Sequence, residues 1–145
     1  MLYWLITGIL FGSDNLIKKK REEKSEKHDL LHGNVHIMTY HNYGACLNLL
    51  EKYPFVVKFI SVFFTCFITS IFLLSLGKCG KGILKTGLAF LLGGAFSNTY
   101  DRMKKGYVVD YINFPKAPGK LKQVVFNLSD FAILIGALLI AFQGE

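Results

Sequence analysis

The chain has 145 residues, 52% of them apolar, and its mean hydropathy of +0.36 is high for a soluble protein. The apolar residues gather into long runs with almost no charge, which indicates a polytopic membrane protein rather than a globular core. The formal net charge is +7. The basic residues avoid the apolar runs, so they are typical of membrane-flanking loops and argue against a nucleic-acid partner.

The first apolar segment, residues 1–17, predicts a helix that is short for a membrane span of about 20 residues, so some of the lysines at 18–20 would reach back to the interface. It has no basic leader and no small-residue cleavage site, which favours a retained helix over a removed signal peptide. Asp14 is either a partly solvated helix end or a polar group that helps to shape a site. Residues 18–28 are densely charged and predict a solvated helical extension or a mobile loop.

Three further apolar segments predict membrane helices at about 55–76, 83–100 and 124–142. The third contains small residues that predict close helix packing: Gly87, Gly93, Gly94 and Ala95. In the loops, residues 34–40 and 107–114 alternate and are rich in β-branched and aromatic side chains, which predicts short strands. The predicted fold class is an all-α membrane protein, a four-transmembrane-helix bundle that forms a single polytopic domain over residues 1–145.

Neither a metal nor a cofactor is expected. The cysteines, Cys46, Cys66 and Cys79, are odd in number and lack metal-ligand spacing. Histidines at 28, 32 and 36 recur at a helical spacing that could suggest a metal site. However, Gly33-Asn34 would break such a helix and no carboxylate completes a ligand set, so these and His41 are interpreted as exposed loop histidines.

Two Asn-x-x-Asp stretches mark facing ends of neighbouring apolar segments. Asn98 and Asp101 end the third segment, and Asn127 and Asp130 begin the fourth. On a helix each pair shares one face, and antiparallel packing would bring Asp101 and Asp130 together. Two carboxylates in a low dielectric share one proton, so one can accept a proton from water while the other donates to a carbonyl oxygen. That is an acid/base pair for peptide hydrolysis, and Arg102 could hold a neighbouring carboxylate or a lipid head group.

Simpler interpretations of the same residues stay open. Asp101-Arg102 can be an interfacial ion pair at a helix end, and Asp130 can cap the first turn of the fourth helix, where a carboxylate suits the helix dipole. The two aspartates can also belong to a proton or ion path through the membrane.

Over nearly its whole length the sequence resembles the lipoprotein signal peptidases (signal peptidase II), the bacterial intramembrane aspartyl proteases. Residues 94–102 match the family's G-N-x-x-D-R block most strongly. Residues 108–112 match V-V-D-F-I, and residues 126–130 match F-N-x-A-D. Weaker matches join residues 14–18 to D-Q-x-x-K and residues 42–45 to N-x-G-A.

The resemblance implies that Asp101 and Asp130 are the catalytic dyad of an aspartic endopeptidase. Further residues would line or support the site: Asn42, Gly44, Asn98, Arg102, Asn127, Asp14, Lys18 and Asp110. The family cuts diacylglyceryl-modified prolipoproteins before the lipidated Cys, so diacylated signal peptides and membrane lipids are the implied partners of a monomer.

The resemblance also implies an orientation in the bacterial cytoplasmic membrane. The termini would be cytoplasmic, and the first and third loops would build a small extracytoplasmic β-cradle. The Lys/Arg count of those loops points the other way by the positive-inside rule, and the expectation adopted here follows the family.

Some positions depart from the family pattern. Ser97 replaces a Gly, Ser129 an Ala and Asn15 a Gln, and residues 46–48 replace Ala-Phe-Ser. Both aspartates remain, yet these changes leave room for a catalytically silent paralogue that binds lipoprotein precursors. A small proton or ion transporter that uses the same aspartates is the second alternative.

Overall fold

The structure is a computed structural model that describes residues 1–24, 26–45 and 49–143. Within these ranges it contains four α-helices, as the sequence predicts, and a four-stranded antiparallel sheet that includes the two predicted strands. Residues 46–48, one of the departures from the family pattern, lie outside the described residues. The elements in chain order are α1 (Leu2–Glu23), β1 (His28–Leu30), β2 (Val35–Asn42), α2 (Pro54–Leu76), α3 (Gly82–Lys105), β3 (Val108–Asn113), a 3-10 turn (Gly119–Gln123), β4 (Val125–Phe126) and α4 (Leu128–Phe142).

Helix α1 is longer than its apolar segment predicts, because it continues to Glu23 through charged residues that are good helix formers. The predicted solvated helical extension is confirmed in part: the Lys19 and Glu23 side chains are largely exposed, whereas Arg21 and Glu22 between them are half-buried. Lys18 behaves differently from the predicted interfacial lysine, since it is fully buried. Asp14 is also fully buried, so the interpretation of Asp14 as a partly solvated helix end is wrong.

The bounds of the last two helices also differ from the sequence prediction. Helix α3 continues beyond residue 100 to Lys105 and ends at Gly106, whose φ of 84° is the left-handed conformation that favours glycine. Helix α4 begins at Leu128 rather than at 124, because Val125 and Phe126 pair with β3 instead. The carboxylate-bearing ends of α3 and α4 thus meet the sheet directly.

Helix α3 is the centre of the bundle and contacts α1, α2 and α4. At its crossing with α4, a Cβ on Gly136 would lie 2.5 Å from the carbonyl oxygen of Gly87, and a Cβ on Gly94 would collide with the carbonyl oxygen of Ser129. On the α1 side, a Cβ on Gly93 would lie 2.9 Å from the Cβ of Leu10. The predicted packing role of Gly87, Gly93 and Gly94 is confirmed.

The strand order is β1-β2-β3-β4, with each neighbouring pair antiparallel. The strands predicted at 34–40 and 107–114 correspond to β2 and β3. Their register places Tyr40 opposite Asp110 and His36 opposite Asn113, with an irregularity between Ile37 and Tyr40. The sheet therefore carries Asp110 to the place where α3 ends and α4 begins.

Helix α2 is the one helix in the described ranges that is long and apolar enough, by length and composition, to cross a membrane. Helix α4 is apolar but has only 15 residues. Four helices with a small antiparallel sheet are thus established, and the crossing of a bilayer by all four belongs to the proposal below.

The Gly87–Gly136 crossing gives a first prediction. Gly136→Ala should lower the thermal unfolding midpoint in detergent, because the new methyl group would overlap the backbone of α3 at a cost of about 1–3 kcal/mol. Gly8→Ala is the matched control, since its Cβ on α1 meets nothing within 4 Å. The control should keep or raise the midpoint, and an equal fall in both variants would contradict the packing role.

Candidate active site

All the residues that the sequence predicts for the site belong to one connected polar network. They come from α1, β2 and the turn after it, α3, β3 and the start of α4. Each is joined to another member by a hydrogen bond or an ion pair: Asp14, Lys18, Asn42, Gly44, Asn98, Asp101, Arg102, Asp110, Asn127 and Asp130. The network contains four carboxylates, those of Asp14, Asp101, Asp110 and Asp130, and their surroundings differ.

Asp110 and Asp130 are held by amide groups, and Asn127 contacts both. The side-chain Nδ2 of Asn127 donates to Asp110 Oδ1 at 2.7 Å, and its backbone N donates to Asp130 Oδ2 at 2.9 Å. The second oxygen of Asp110 accepts from Asn42 Nδ2 at 2.9 Å, and that of Asp130 accepts from Asn98 Nδ2 at 3.0 Å. Among the described residues neither carboxylate forms an ion pair. Both are therefore oriented without being neutralised.

Asp110 is a buried carboxyl that titrates near neutral pH. The pKa of Asp110 is raised from 3.8 to about 7, first by burial and second by the negative charge of Asp130. The amide donors of Asn42 and Asn127 act in the opposite direction. The dependence on Asp130 means that the two carboxylates interact electrostatically.

Asp101 is fully buried and lies between two ammonium groups. Lys18 Nζ is 3.2 Å from Asp101 Oδ2, and Lys105 Nζ is 3.1 Å from Asp101 Oδ1. The backbone N of Val109 also donates to Asp101 Oδ2 at 3.3 Å. Its polar connection to Asp130 runs through Lys18 and Asn98. Asp101 is thus the shared carboxylate of two ion pairs.

The two ends of α4's first turn are joined by a capping box. Asn127 is the N-cap in extended backbone conformation, its Oδ1 accepts from the backbone N of Asp130, and Asp130 accepts from the backbone N of Asn127. The interpretation of Asp130 as a helix cap is confirmed. The prediction that Asn127 shares a helical face with Asp130 is wrong, because Asn127 precedes the helix. The cap still leaves Asp130 Oδ1 available to Asn98.

The turn after β2 is fastened over the site. Asn42 Oδ1 accepts from the backbone N of Gly44 at 3.0 Å, while Arg102 Nη2 donates to the carbonyl oxygen of Gly44 at 2.8 Å. The guanidinium of Arg102 also interacts electrostatically with Asp110, Asp130 and Asp101. Arg102 therefore links the turn to the electrostatic environment of the carboxylates.

Three hydroxyl groups belong to the network although the sequence interpretation gave them no place in it. Ser97, Ser129 and Tyr111 all donate to the carboxylate of Asp14. Tyr111 also accepts from the backbone N of Leu128 at 3.0 Å, and burial beside the Asp14 carboxylate raises the pKa of Tyr111, so it remains a neutral donor. The sequence feature that could have indicated them is their position, since each hydroxyl residue adjoins Asn98, Asp130 or Asp110 in sequence.

A second missed group lies where α1 and α3 end. Lys105 Nζ joins Asp101 to Glu22 Oε2, which is 2.7 Å away, and the hydroxyl of Tyr107 donates to Glu22 Oε1 at 3.1 Å. His41 stacks on Tyr107 with a ring-centroid distance of 4.2 Å. In the described ranges no three His, Cys, Asp or Glu side chains are grouped as a metal site would require.

Comparison with known proteins assigns this chain to a family. The model of the family described as "Signal peptidase (SPase) II" matches residues 6–144. A relative from Caldicellulosiruptor bescii, named lipoprotein signal peptidase, is 33% identical over 98% of this chain and 89% of its own length. A protein of the same name from Halothermothrix orenii is 33% identical over 96% of this chain and 92% of its own length.

A solved structure supports the fold independently. It is titled as a bacterial membrane enzyme determined by the in meso method at 2.3 Å resolution. Its TM-score is 0.81 at 20% identity, and the match covers 98% of this chain and 86% of the other. With the family match over nearly all of the sequence, the chain belongs to the signal peptidase II family, which is a family of peptidases.

The position of Asp110 predicts a pH-dependent stability. Since the pKa of Asp110 is raised from 3.8 to about 7, the folded protein retains a proton in this window that the unfolded chain has lost. This contribution to the free energy of unfolding is complete below about pH 4 and is lost as the pH rises through about 7. Asp110→Asn should therefore flatten the pH dependence of the thermal unfolding midpoint over this range.

Asp29→Asn is the matched control, because the Asp29 side chain on β1 is 70% exposed. It should reproduce the wild-type pH dependence. An Asp110→Asn profile that is as steep as the wild-type profile would contradict the raised pKa of Asp110.

Proposed function

We propose that this chain is an intramembrane aspartic endopeptidase that removes signal peptides from diacylglyceryl-modified prolipoproteins by cutting before the lipidated Cys. Membership of the signal peptidase II family and relatives named lipoprotein signal peptidase support the substrate class. The observation that carries the aspartic chemistry is the pair formed by Asp110 and Asp130, which Asn127 contacts on both sides. No metal or cofactor is part of the proposal.

The reacting pair in this proposal is Asp110 with Asp130, a refinement of the pairing of Asp101 with Asp130 that the motifs imply. General acid/base work needs a carboxyl that can hold and release a proton near the working pH. The pKa of about 7 for Asp110 suits that role. Asp101 suits it less, because Lys18 and Lys105 lie 3.2 and 3.1 Å from its two oxygens and engage both of them in ion pairs. Asp101 then acts as the counter-ion that keeps both lysines in place.

In the proposed reaction, the ionised member of the pair takes a proton from water as the water oxygen attacks the scissile carbonyl carbon. The protonated member donates to the carbonyl oxygen and gives a tetrahedral diol. Collapse of the diol breaks the C–N bond: the departing nitrogen receives the proton first taken from water, and one diol hydroxyl returns a proton to the carboxylate that had protonated the carbonyl oxygen, which restores the protonation states of the pair. Asn98 and Asn42 hold the outer oxygens of the two carboxylates throughout.

The membrane arrangement is also part of the proposal. All four helices would cross the bacterial cytoplasmic membrane with cytoplasmic termini, and the sheet would cover the site on the outer side. Helix α2 presents a largely exposed aromatic face that suits lipid: Phe59, Phe63 and Phe67. The charges within α1 and α3 at the site, by contrast, are paired inside the bundle. A monomer supplies every residue of the proposed site.

The decisive test is cleavage of a synthetic diacylated prolipoprotein peptide by purified protein in lipid. Asp110→Asn and Asp130→Asn should each lower cleavage about a thousand-fold or more, because each removes one half of the acid/base pair. Asp101→Asn should retain measurable cleavage and lower the thermal unfolding midpoint, because it removes a carboxylate from the buried ammonium group of Lys18 and from the half-buried one of Lys105. Asp29→Asn, an exposed carboxylate on β1, is the control and should cleave like the wild type.

Other outcomes distinguish the alternatives. Full cleavage by Asp110→Asn with none by a well-folded Asp101→Asn would restore Asp101 as the partner of Asp130. Folded wild-type protein that binds several precursors without cutting any of them would indicate a silent paralogue. Proton flux into proteoliposomes that is abolished by Asp130→Asn, without peptide cleavage, would indicate a transporter.

A further inference from the structure

The hydroxyl groups of Ser97 and Ser129 lie behind the proposed active site and converge on one atom. Both donate to Oδ2 of Asp14, Ser97 at 2.7 Å and Ser129 at 2.5 Å, and Lys18 Nζ is 2.8 Å from the same oxygen. We propose that Ser97 and Ser129 are positioning residues that hold the Asp14–Lys18 pair and thereby orient Asn98 toward Asp130. This inference rests on the proposed function and adds two residues to it.

The serines satisfy a charge pair that is entirely removed from solvent. Asp14, Lys18 and Ser97 are 0% exposed and Ser129 is 2% exposed. A buried ion pair is stable only when its remaining hydrogen-bonding capacity is also filled. The three protein hydroxyls on Asp14 fill that capacity, with Tyr111 donating to Oδ1 at 2.8 Å. Because Ser97 is on α3 and Ser129 on α4, they fix the carboxylate of α1 relative to both helices that carry the site.

The position of Lys18 in turn decides which way the Asn98 amide points. An ammonium group can only donate, so Asn98 must present its Oδ1 to Lys18, and the two atoms are 2.9 Å apart. The Nδ2 group of Asn127 donates to the same oxygen at 3.1 Å. The Nδ2 group of Asn98 therefore faces Asp130 Oδ1 at 3.0 Å. A rotated amide would place N–H groups against Lys18 and remove a donor from Asp130.

Three of the departures from the family pattern, Asn15, Ser97 and Ser129, form one unit in this network. Ser97 accepts from Lys18 Nζ at 3.0 Å and from Asn15 Nδ2 at 3.2 Å, in addition to donating to Asp14. Asn15, Ser97 and Ser129 are thus linked to the same ion pair. Each of these polar groups has a partner, which is the arrangement of a supported site. It is not the arrangement of a site that has lost its function through unrelated substitutions.

The test compares Ser97→Ala, Ser129→Ala and the double variant in the diacylated-peptide cleavage assay, with kcat and KM measured separately. Each single variant should lower kcat about ten-fold, the double variant should lower it further, and KM should stay unchanged, because the loss concerns the orientation of a group at the carboxylates. Ser75→Ala is the matched control. Ser75 is a buried serine on α2 whose Oγ donates to the carbonyl oxygen of Phe72 at 2.7 Å, and its removal should leave kcat unchanged.

A second comparison tests the route through Asn98. In an Asn98→Ala background, which loses the donor to Asp130, the serine substitutions should have no further effect on kcat. If the serines were merely structural, the serine variants in the wild-type background would keep the wild-type kcat and show only a lower unfolding midpoint. This result would overturn the inference. The same holds if the serine effects persist undiminished in the Asn98→Ala background. If the double variant does not fold, the single variants decide.

The result also separates this inference from the proposed function. Cleavage by the wild type that is lost in Asp130→Asn, together with unchanged kcat in the serine variants, overturns the role of the serines and leaves the protease assignment standing. Absence of cleavage by folded wild-type protein overturns both.

Discussion

The structure depends on one buried ammonium group. Lys18 is 0% exposed and lies within hydrogen-bonding or ion-pair distance of Asp14, Ser97, Asn98 and Asp101. A charge removed from water is tolerated only when such partners surround it. This requirement fixes α1 against α3 and imposes an orientation on the Asn98 amide. The remaining site is built outward from these contacts.

The carboxylates of the site differ in chemistry because their partners differ. Asp14 and Asp101 each contact lysine, whereas Asp110 and Asp130 contact the amide groups of asparagine and a backbone N–H. An ammonium neighbour stabilises the charged form and suits a structural ion pair, while neutral donors orient a carboxylate and leave it able to exchange a proton. With the pKa of Asp110 at about 7, this division of partners favours Asp110 and Asp130 as the pair that reacts.

Sequence patterns predict much of this fold and the membership of its polar network, and tertiary contacts explain what they miss. Uncharged apolar runs mark the helices, and alternation marks β2 and β3, since both signals are local. The burial of Lys18 cannot be predicted from local sequence, because it depends on the Asp101 carboxylate of α3. The choice of partner for Asp130 is equally non-local, since the two lysines that neutralise Asp101 are distant from each other in sequence. Ser97 and Ser129 are departures from a motif when considered singly, and their common target becomes visible only when α1, α3 and α4 are packed.

Helix packing and the chemistry of the site are joined at the α3–α4 crossing. Gly94 has no side chain at the point where the carbonyl oxygen of Ser129 approaches α3, and any Cβ there would force the two helices apart. Asn98 lies one helical turn beyond Gly94, and Asp130 follows Ser129 directly, so this close approach sets the 3.0 Å hydrogen bond between Asn98 and Asp130. A separation of the helices by even a methyl group would lengthen that bond and also withdraw the Ser129 hydroxyl from Asp14. The small residues of the bundle therefore serve the proposed reaction as directly as they serve stability, since the same backbone contact determines both.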